Sequence, residues 1–149
     1  MRQVYRVVDA NLNRAREGLR VLEEIARFVL DDVDLTANLK DIRHNLNTLV
    51  SEASNLRYDI IHSRDSEGDV GAGSWTKRES ARDSLFALAT ANFKRVQEAA
   101  RVLEEFGKLL GLPAREFKKI RFETYLLEKK IGARLCEQIN TTPVSKGEL

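Results

Sequence analysis

An all-α fold, two internally duplicated helical hairpins forming a four-helix bundle-like domain, is predicted by three features of this 149-residue chain. Eight glycines, two prolines and 7% aromatic residues are few for a sheet protein, whereas 32% charged residues suit exposed helix faces. Apolar residues recur at three-and-four spacing, the period of a helix that buries one stripe. The segment ANLNRAREGLRVLEE at 10–24 returns as ANFKRVQEAARVLEE at 91–105, with nine of fifteen positions identical. A chain of this length buries about two-thirds of its unfolded surface as one domain, without a disulfide or metal staple.

Helix one, over residues 5–30, is read from Leu12, Ala15, Leu19, Leu22, Ala26 and Val29. Asp31–Asp34 breaks the pattern and offers Asp34 as the N-cap of helix two, whose stripe is Leu35, Leu39, Ile42, Leu46, Leu49 and Ala53. A short segment from Tyr58 to His62 extends it, and the first repeat spans about 5–53. A glycine-containing loop over 63–78 leads to a capping box at Thr76 and Glu79, which starts helix three and carries it to Leu110. Gly111 suits a left-handed helix end and Pro113 the first turn of helix four. Phe117, Ile120, Leu127, Ile131 and Leu135 continue that helix to about Ile139, which closes a second repeat of about 79–139 and leaves a tail at 140–149. Leu39-Lys-Asp-Ile-Arg43 recurs as Phe117-Lys-Lys-Ile-Arg121, so the duplicated unit is the hairpin.

Cys136 is the only cysteine, no signal-type segment follows Met1, and no apolar run approaches a membrane span. A cytoplasmic protein without a membrane partner is expected. A net charge of +2 is too small to announce a nucleic-acid binder, yet sixteen arginines against nine lysines favour bidentate grip on phosphate or carboxylate.

On a helical wheel Asn11 lies inside the apolar arc, Arg14 at its edge, and Glu17 and Glu24 on its boundary. Arg16, Arg20, Glu23 and Arg27 point away, and helix three repeats the pattern with Asn92, Arg95, Glu98 and Glu105. An unpaired buried polar group costs about 1–3 kcal/mol, so these groups need partners. In a single copy, Asn, Arg and Glu can satisfy one another; two copies near a pseudo-twofold axis favour a bound anion, with Arg43 and Arg121 directed into the same space and His44 adjoining. The loop Gly68–Ser74 can present amides to a phosphate, and Asp65 and Asp69 can hold Mg²⁺ between phosphate oxygens; a solvated connection is the alternative. Arg64 and Lys77 flank it, and Trp75 reads as a hydrophobic anchor. With no Cys/His metal spacing, H-E-x-x-H or nucleophile elbow, the chemistry left is positioning and charge stabilisation, as in phosphoryl transfer.

The chain resembles the small monofunctional hydroxymethylpyrimidine-phosphate kinases of thiamine biosynthesis, in the standalone form of a domain often fused to thiamine-phosphate synthase. The likeness rests on Asp9–Glu23, Ile42-Arg43-His44, Arg64-Asp-x-x-x-Asp69-Val-Gly71, and Thr90–Glu98 through Arg101–Glu105, and covers most of residues 5–130. It implies transfer of the γ-phosphate of ATP to 4-amino-5-hydroxymethyl-2-methylpyrimidine phosphate, with Mg²⁺. Taken with the residue pattern, it casts Arg14, Arg95, Arg43 and Arg121 as phosphate-holding, with Arg64 and Gly71 beside them. Asn11 and Asn92 orient substrate or those arginines, Glu17 and Glu98 orient the arginines, and Asp65 or Asp69 binds the metal. Asp69 is the first candidate for a general base and His44 the second. Two rival readings stand. A polyanion-binding adapter would show Arg16, Arg20 and Arg101 as an external basic stripe, and a dicarboxylate enzyme would not need Asp65 or Asp69. The outward face of Arg16, Arg20, Glu23 and Arg27 leaves room for a homodimer.

Overall fold

In the computed structural model, which describes residues 1–52 and 56–141, α1 runs from Arg2 to Glu24 and continues as a wider π turn over Ile25–Val29. Val8, Leu12, Ala15, Leu19 and Leu22 are buried as one stripe, as their spacing predicts. Asp31 reverses the chain with a φ of 48°, a left-handed conformation that a short polar side chain tolerates. The cap of α2 (Val33–Ser51) is Asp32 rather than the predicted Asp34: its backbone is extended and its carboxylate accepts the Leu35 amide at 2.9 Å. Asp34 falls instead in the first turn, where its charge complements the helix dipole.

Leu35, Leu39, Ile42, Leu46 and Val50 form the buried face of α2, with Leu49 only partly covered; Ala53 lies outside the described residues. The segment that was expected to extend this helix is a separate α3 (Leu56–His62), which buries Leu56 and Ile60.

Helix three does not run unbroken from Thr76. The Thr76 hydroxyl accepts the Glu79 amide as a capping box requires, but α4 (Lys77–Ser80) lasts one turn and Ala81 is extended. A second cap, Ser84, accepts the Ala87 amide at 3.0 Å and starts α5 (Leu85–Gly107). Residues 77–84 contain Ala81 as their sole apolar side chain, so no buried face offsets the entropy of ordering a longer helix there. A 3₁₀ turn over Lys108–Leu110 ends at Gly111, whose φ of 70° is the left-handed stop its sequence position predicts. Leu112 donates to the Gly107 carbonyl at 2.9 Å and Gly111 to that of Lys108 at 3.4 Å, the bond pair of such helix ends. α6 (Ala114–Thr141) follows Pro113, and the tail at 142–149 lies outside the described residues.

α1 and α5 run antiparallel at the centre, each flanked by the partner helix of its own hairpin. Their sense follows from the ends: Arg134 near the end of α6 reaches Asp32 and the Leu30 carbonyl, while Asn45–Leu49 of α2 faces Glu116–Glu123 of α6. The central helices approach closely at Gly18, where an added Cβ would lie 2.7 Å from Val96 Cγ2 and 3.2 Å from the Asn92 carbonyl oxygen. Among the described residues no helix is long and apolar enough to cross a membrane.

Candidate functional site

The duplicated motif builds the same local contact twice. Asn11 Nδ2 donates to the Val7 carbonyl at 2.9 Å, and Asn92 Nδ2 to that of Leu88 at 2.9 Å, which leaves each amide oxygen as an acceptor. In the first copy that oxygen receives Arg14 Nη1 at 3.5 Å, so Asn11 orients Arg14 loosely. Arg14, Arg95, Glu17 and Glu98 are all exposed rather than set into the apolar face.

The two copies do not meet in one space. Asn11 and Arg14 line a cleft of about 650 Å³ with Arg6, Arg64, Asp65 and Asp69. Asn92, Arg95 and Glu98 line another of about 420 Å³ with Lys94 and with Glu17 of α1. Arg95 Nη2 stands 3.9 Å from the Glu17 carboxylate, a loose pair between exposed groups, while Arg14 has no carboxylate partner among the described residues.

Arg43 and Arg121 also depart from expectation. Arg43 Nε donates to Glu23 at 3.0 Å and Arg121 Nη2 to Glu104 at 3.0 Å, and both glutamates are buried, 5% and 7% exposed. Glu23 therefore points inward, contrary to its place on the wheel. Arg20 approaches Glu23 at 3.6 Å and Arg101 approaches Glu104 at 3.0 Å, so each hairpin carries the same clamp: one buried glutamate between an arginine of its own helix and one of the partner helix. The Tyr125 hydroxyl, with the Glu104 carboxylate adding, holds the Arg121 guanidinium above its usual pKa. His44 is exposed on α2, away from these contacts. The recurrence of both Glu23/Glu104 and Arg43/Arg121 was the sequence signal that could have paired them.

Arg64 is tied down as well. Its Nε and Nη2 donate to the two oxygens of the buried Asp9 carboxylate at 2.7 Å each, and this pairing raises the guanidinium pKa. The pair fastens the start of the loop to α1. Beyond it, Asp65 Oδ1 accepts the Gly68 amide at 2.8 Å and Asp69 Oδ1 the Gly71 amide at 2.9 Å. The Ala72 and Ser74 amides donate to the Asp69 and Gly71 carbonyls. Of the amides expected to cradle a phosphate, those of Gly68, Gly71, Ala72 and Ser74 are thus engaged within the loop itself. A Cβ at Gly68 would sit 2.3 Å from Asp65 Oδ2, so a larger residue there would displace that carboxylate. Trp75 is 71% exposed and anchors nothing in the core.

What the larger cleft assembles is two guanidiniums without a carboxylate partner among the described residues, those of Arg6 and Arg14, and the carboxylates of Asp65 and Asp69. Cations for an anionic ligand and acceptors for a divalent ion lie together there. Among the described residues no group of three or more His, Cys, Asp or Glu side chains converges. Two carboxylates nevertheless fit Mg²⁺, which is commonly held by one or two carboxylates plus the oxygens of a bound polyphosphate.

A profile of the ThiD2 family matches residues 6–130. The chain is 42% identical over 136 residues to a thiamine-phosphate synthase of Rhodopirellula baltica, covering 91% of this chain and 36% of that protein. It is 42% identical over 127 residues to one of Thermosynechococcus vestitus (85% and 34%) and 40% identical over 137 residues to one of Nostoc punctiforme (91% and 37%). The chain thus spans about a third of the length of these curated relatives. No solved structure matches it.

Proposed function

The chain belongs to the ThiD2 family, and on that premise we propose that it is a kinase that transfers the γ-phosphate of ATP to 4-amino-5-hydroxymethyl-2-methylpyrimidine phosphate. The relatives' name, thiamine-phosphate synthase, describes proteins of which the matched part is about a third, and supports a role in thiamine biosynthesis without fixing the step. The observation that carries the kinase reading is the cleft in which Asn11 and Arg14 of the duplicated motif face Asp65 and Asp69 of the loop.

In this reading Arg14, steadied by Asn11, holds the transferring phosphoryl group and offsets the charge that spreads over its oxygens. Asp65 and Asp69 would hold Mg²⁺, which supplies charge neutralisation between the phosphates. The acceptor oxygen belongs to a phosphate monoester whose second pKa is about 6, so it is largely deprotonated at neutral pH and asks little of a general base. Neither Asp69 nor His44 then has to remove a proton. The new P–O bond forms as the bond to the β-phosphate oxygen breaks, and ADP leaves. Arg95 lies in the other groove and is not assigned to the transfer. Incubation with ATP, Mg²⁺ and the pyrimidine monophosphate should yield the diphosphate. Absence of that product, with the fold verified by circular dichroism, would sink the reading.

A further inference from the structure

The two hairpins differ where helix two ends. In the second, α6 is continuous from Ala114 to Thr141; in the first, α2 stops at Ser51 and the chain resumes as α3 at Leu56. A cleft of about 230 Å³ lies between α1, α2 and α3, and the duplicated motif contributes Leu12, Asn13 and Arg16 to it. We propose that this cleft is the subsite for a small phosphorylated heteroaromatic ring, with Arg16 and Arg57 on its phosphate and Asn13 and Asn47 on the ring edge. The assignment of the ring as phosphoryl acceptor rests on the kinase reading; the subsite itself rests on four observations.

The first is unspent charge. Arg64 at the rim is committed to Asp9, whereas Arg16 and Arg57 have no partner among the described residues. Two free guanidiniums in one concavity suit one phosphate, which offers each of them two oxygens. The second is the floor: Leu12, Val50 and Ile60 are 8%, 5% and 2% exposed and form an apolar base on which a flat ring can lie. The third is the polar rim. The Thr48 hydroxyl donates to the His44 carbonyl and that of Ser51 to the Thr48 carbonyl, so both present lone pairs to the cleft. Acceptors of that kind, with the amides of Asn13 and Asn47, complement a ring that carries amino and ring-nitrogen groups. The fourth is size: 230 Å³ lies below the ~300–1,000 Å³ usual for ligand pockets, too small for a nucleoside triphosphate. The open 650 Å³ cleft next to it is not.

Asp9, Asn13 and Arg64 line both clefts. The Asp9–Arg64 pair is therefore the partition between them, and a phosphate on Arg16 faces the polyphosphate cleft across it. On the helical wheel Arg16 faces solvent, and Asn47 and Arg57 lie outside the matched stretches at 10–24 and 39–43.

The test is binding of the pyrimidine monophosphate and of Mg²⁺–ATP, each titrated alone into the full chain by calorimetry. Arg57→Ala and Asn47→Leu should each raise Kd for the monophosphate about tenfold or more, as loss of a charge-assisted or buried hydrogen bond does, with ATP affinity within about twofold. Arg14→Ala should do the reverse. Unchanged monophosphate affinity in both cleft variants, or equal loss of both ligands, overturns the subsite while leaving the kinase reading intact. If the wild-type chain binds no pyrimidine monophosphate, the kinase reading falls, and inorganic phosphate becomes the probe in ¹⁵N–¹H correlation spectra. Shifts at the Asn13 and Asn47 amides that Arg57→Ala removes then uphold an anion subsite, and their absence overturns it.

Discussion

Replacing Arg43 by Ala separates a structural role from a ligand-binding one. Glu23 is 5% exposed, and Arg43 is the partner that reaches it from across the hairpin, with a side chain only 20% exposed. Removing one member of a buried pair costs roughly 3–5 kcal/mol, because the other charge stays desolvated without compensation. Arg20 remains 3.6 Å away but is half exposed, and such a contact returns about 0–1 kcal/mol. The net expectation is a loss of about 2–5 kcal/mol, a large share of the ~5–15 kcal/mol that a domain usually has. At about 2–4 °C per kcal/mol for a chain of this size, the melting temperature should drop by roughly 7–14 °C for the middle of that range. Urea unfolding followed by circular dichroism should show a lower midpoint and an unchanged slope. The double replacement Glu23→Leu/Arg43→Leu should regain most of the loss, since no charge is left stranded. Below the melting temperature, phosphate transfer by Arg43→Ala should stay within a few-fold of the parent. The reasoning is refuted if the variant unfolds within ~0.5 kcal/mol of the parent, the scatter of ordinary surface changes, while transfer falls about a hundredfold. Arg43 would then be a ligand for phosphate, as its sequence position first suggested.

Three other outcomes follow from the same geometry. Gly18→Val places methyl groups against Val96 and the Asn92 carbonyl, and should destabilise by about 1–3 kcal/mol through overpacking; a thermal midpoint equal to the parent's would mean the central helices part without cost. Arg14→Ala removes an exposed side chain with no carboxylate partner, so stability should hold while transfer drops about a hundredfold or more; a near-normal rate refutes its role. The Leu35 amide, with Arg134 adding, holds the Asp32 carboxyl below its usual range. A depressed folded pKa gives stability that is present above the unfolded value and lost as pH falls through the folded one. The urea midpoints of the parent and Asp32→Asn should therefore differ at neutral pH and converge in acid, and a gap that stays constant into acid contradicts the assignment.

The hairpins were legible because burial of a stripe is a one-dimensional pattern: Leu12, Ala15, Leu19 and Leu22 announce their face before any partner is known. Gly111 and the cap at Thr76 were legible too, since their signals are local. How far α4 would run was not, because a cap says where a helix starts and only packing says how long it lasts. Asn11 is buried where the wheel put it, but Glu23 was misplaced for a related reason. A wheel drawn from the apolar residues of α1 knows nothing of α2, and Glu23 is buried because Arg43 waits there. Arg14 and Arg95 sit on the edge of the arc, but their length carries the guanidiniums into solvent. The loop's grouping with Asn11 and Arg14 depends on the Asp9–Arg64 pair, whose members are 55 residues apart and carry no periodic signal.

Glu23 and Glu104 each find both arginines within their own hairpin. Each buried glutamate is thus neutralised inside its own hairpin, and what joins the hairpins is the apolar surface that α1 finds on α5 around Gly18, together with the ion pairs of Arg95 with Glu17 and of Arg134 with Asp32.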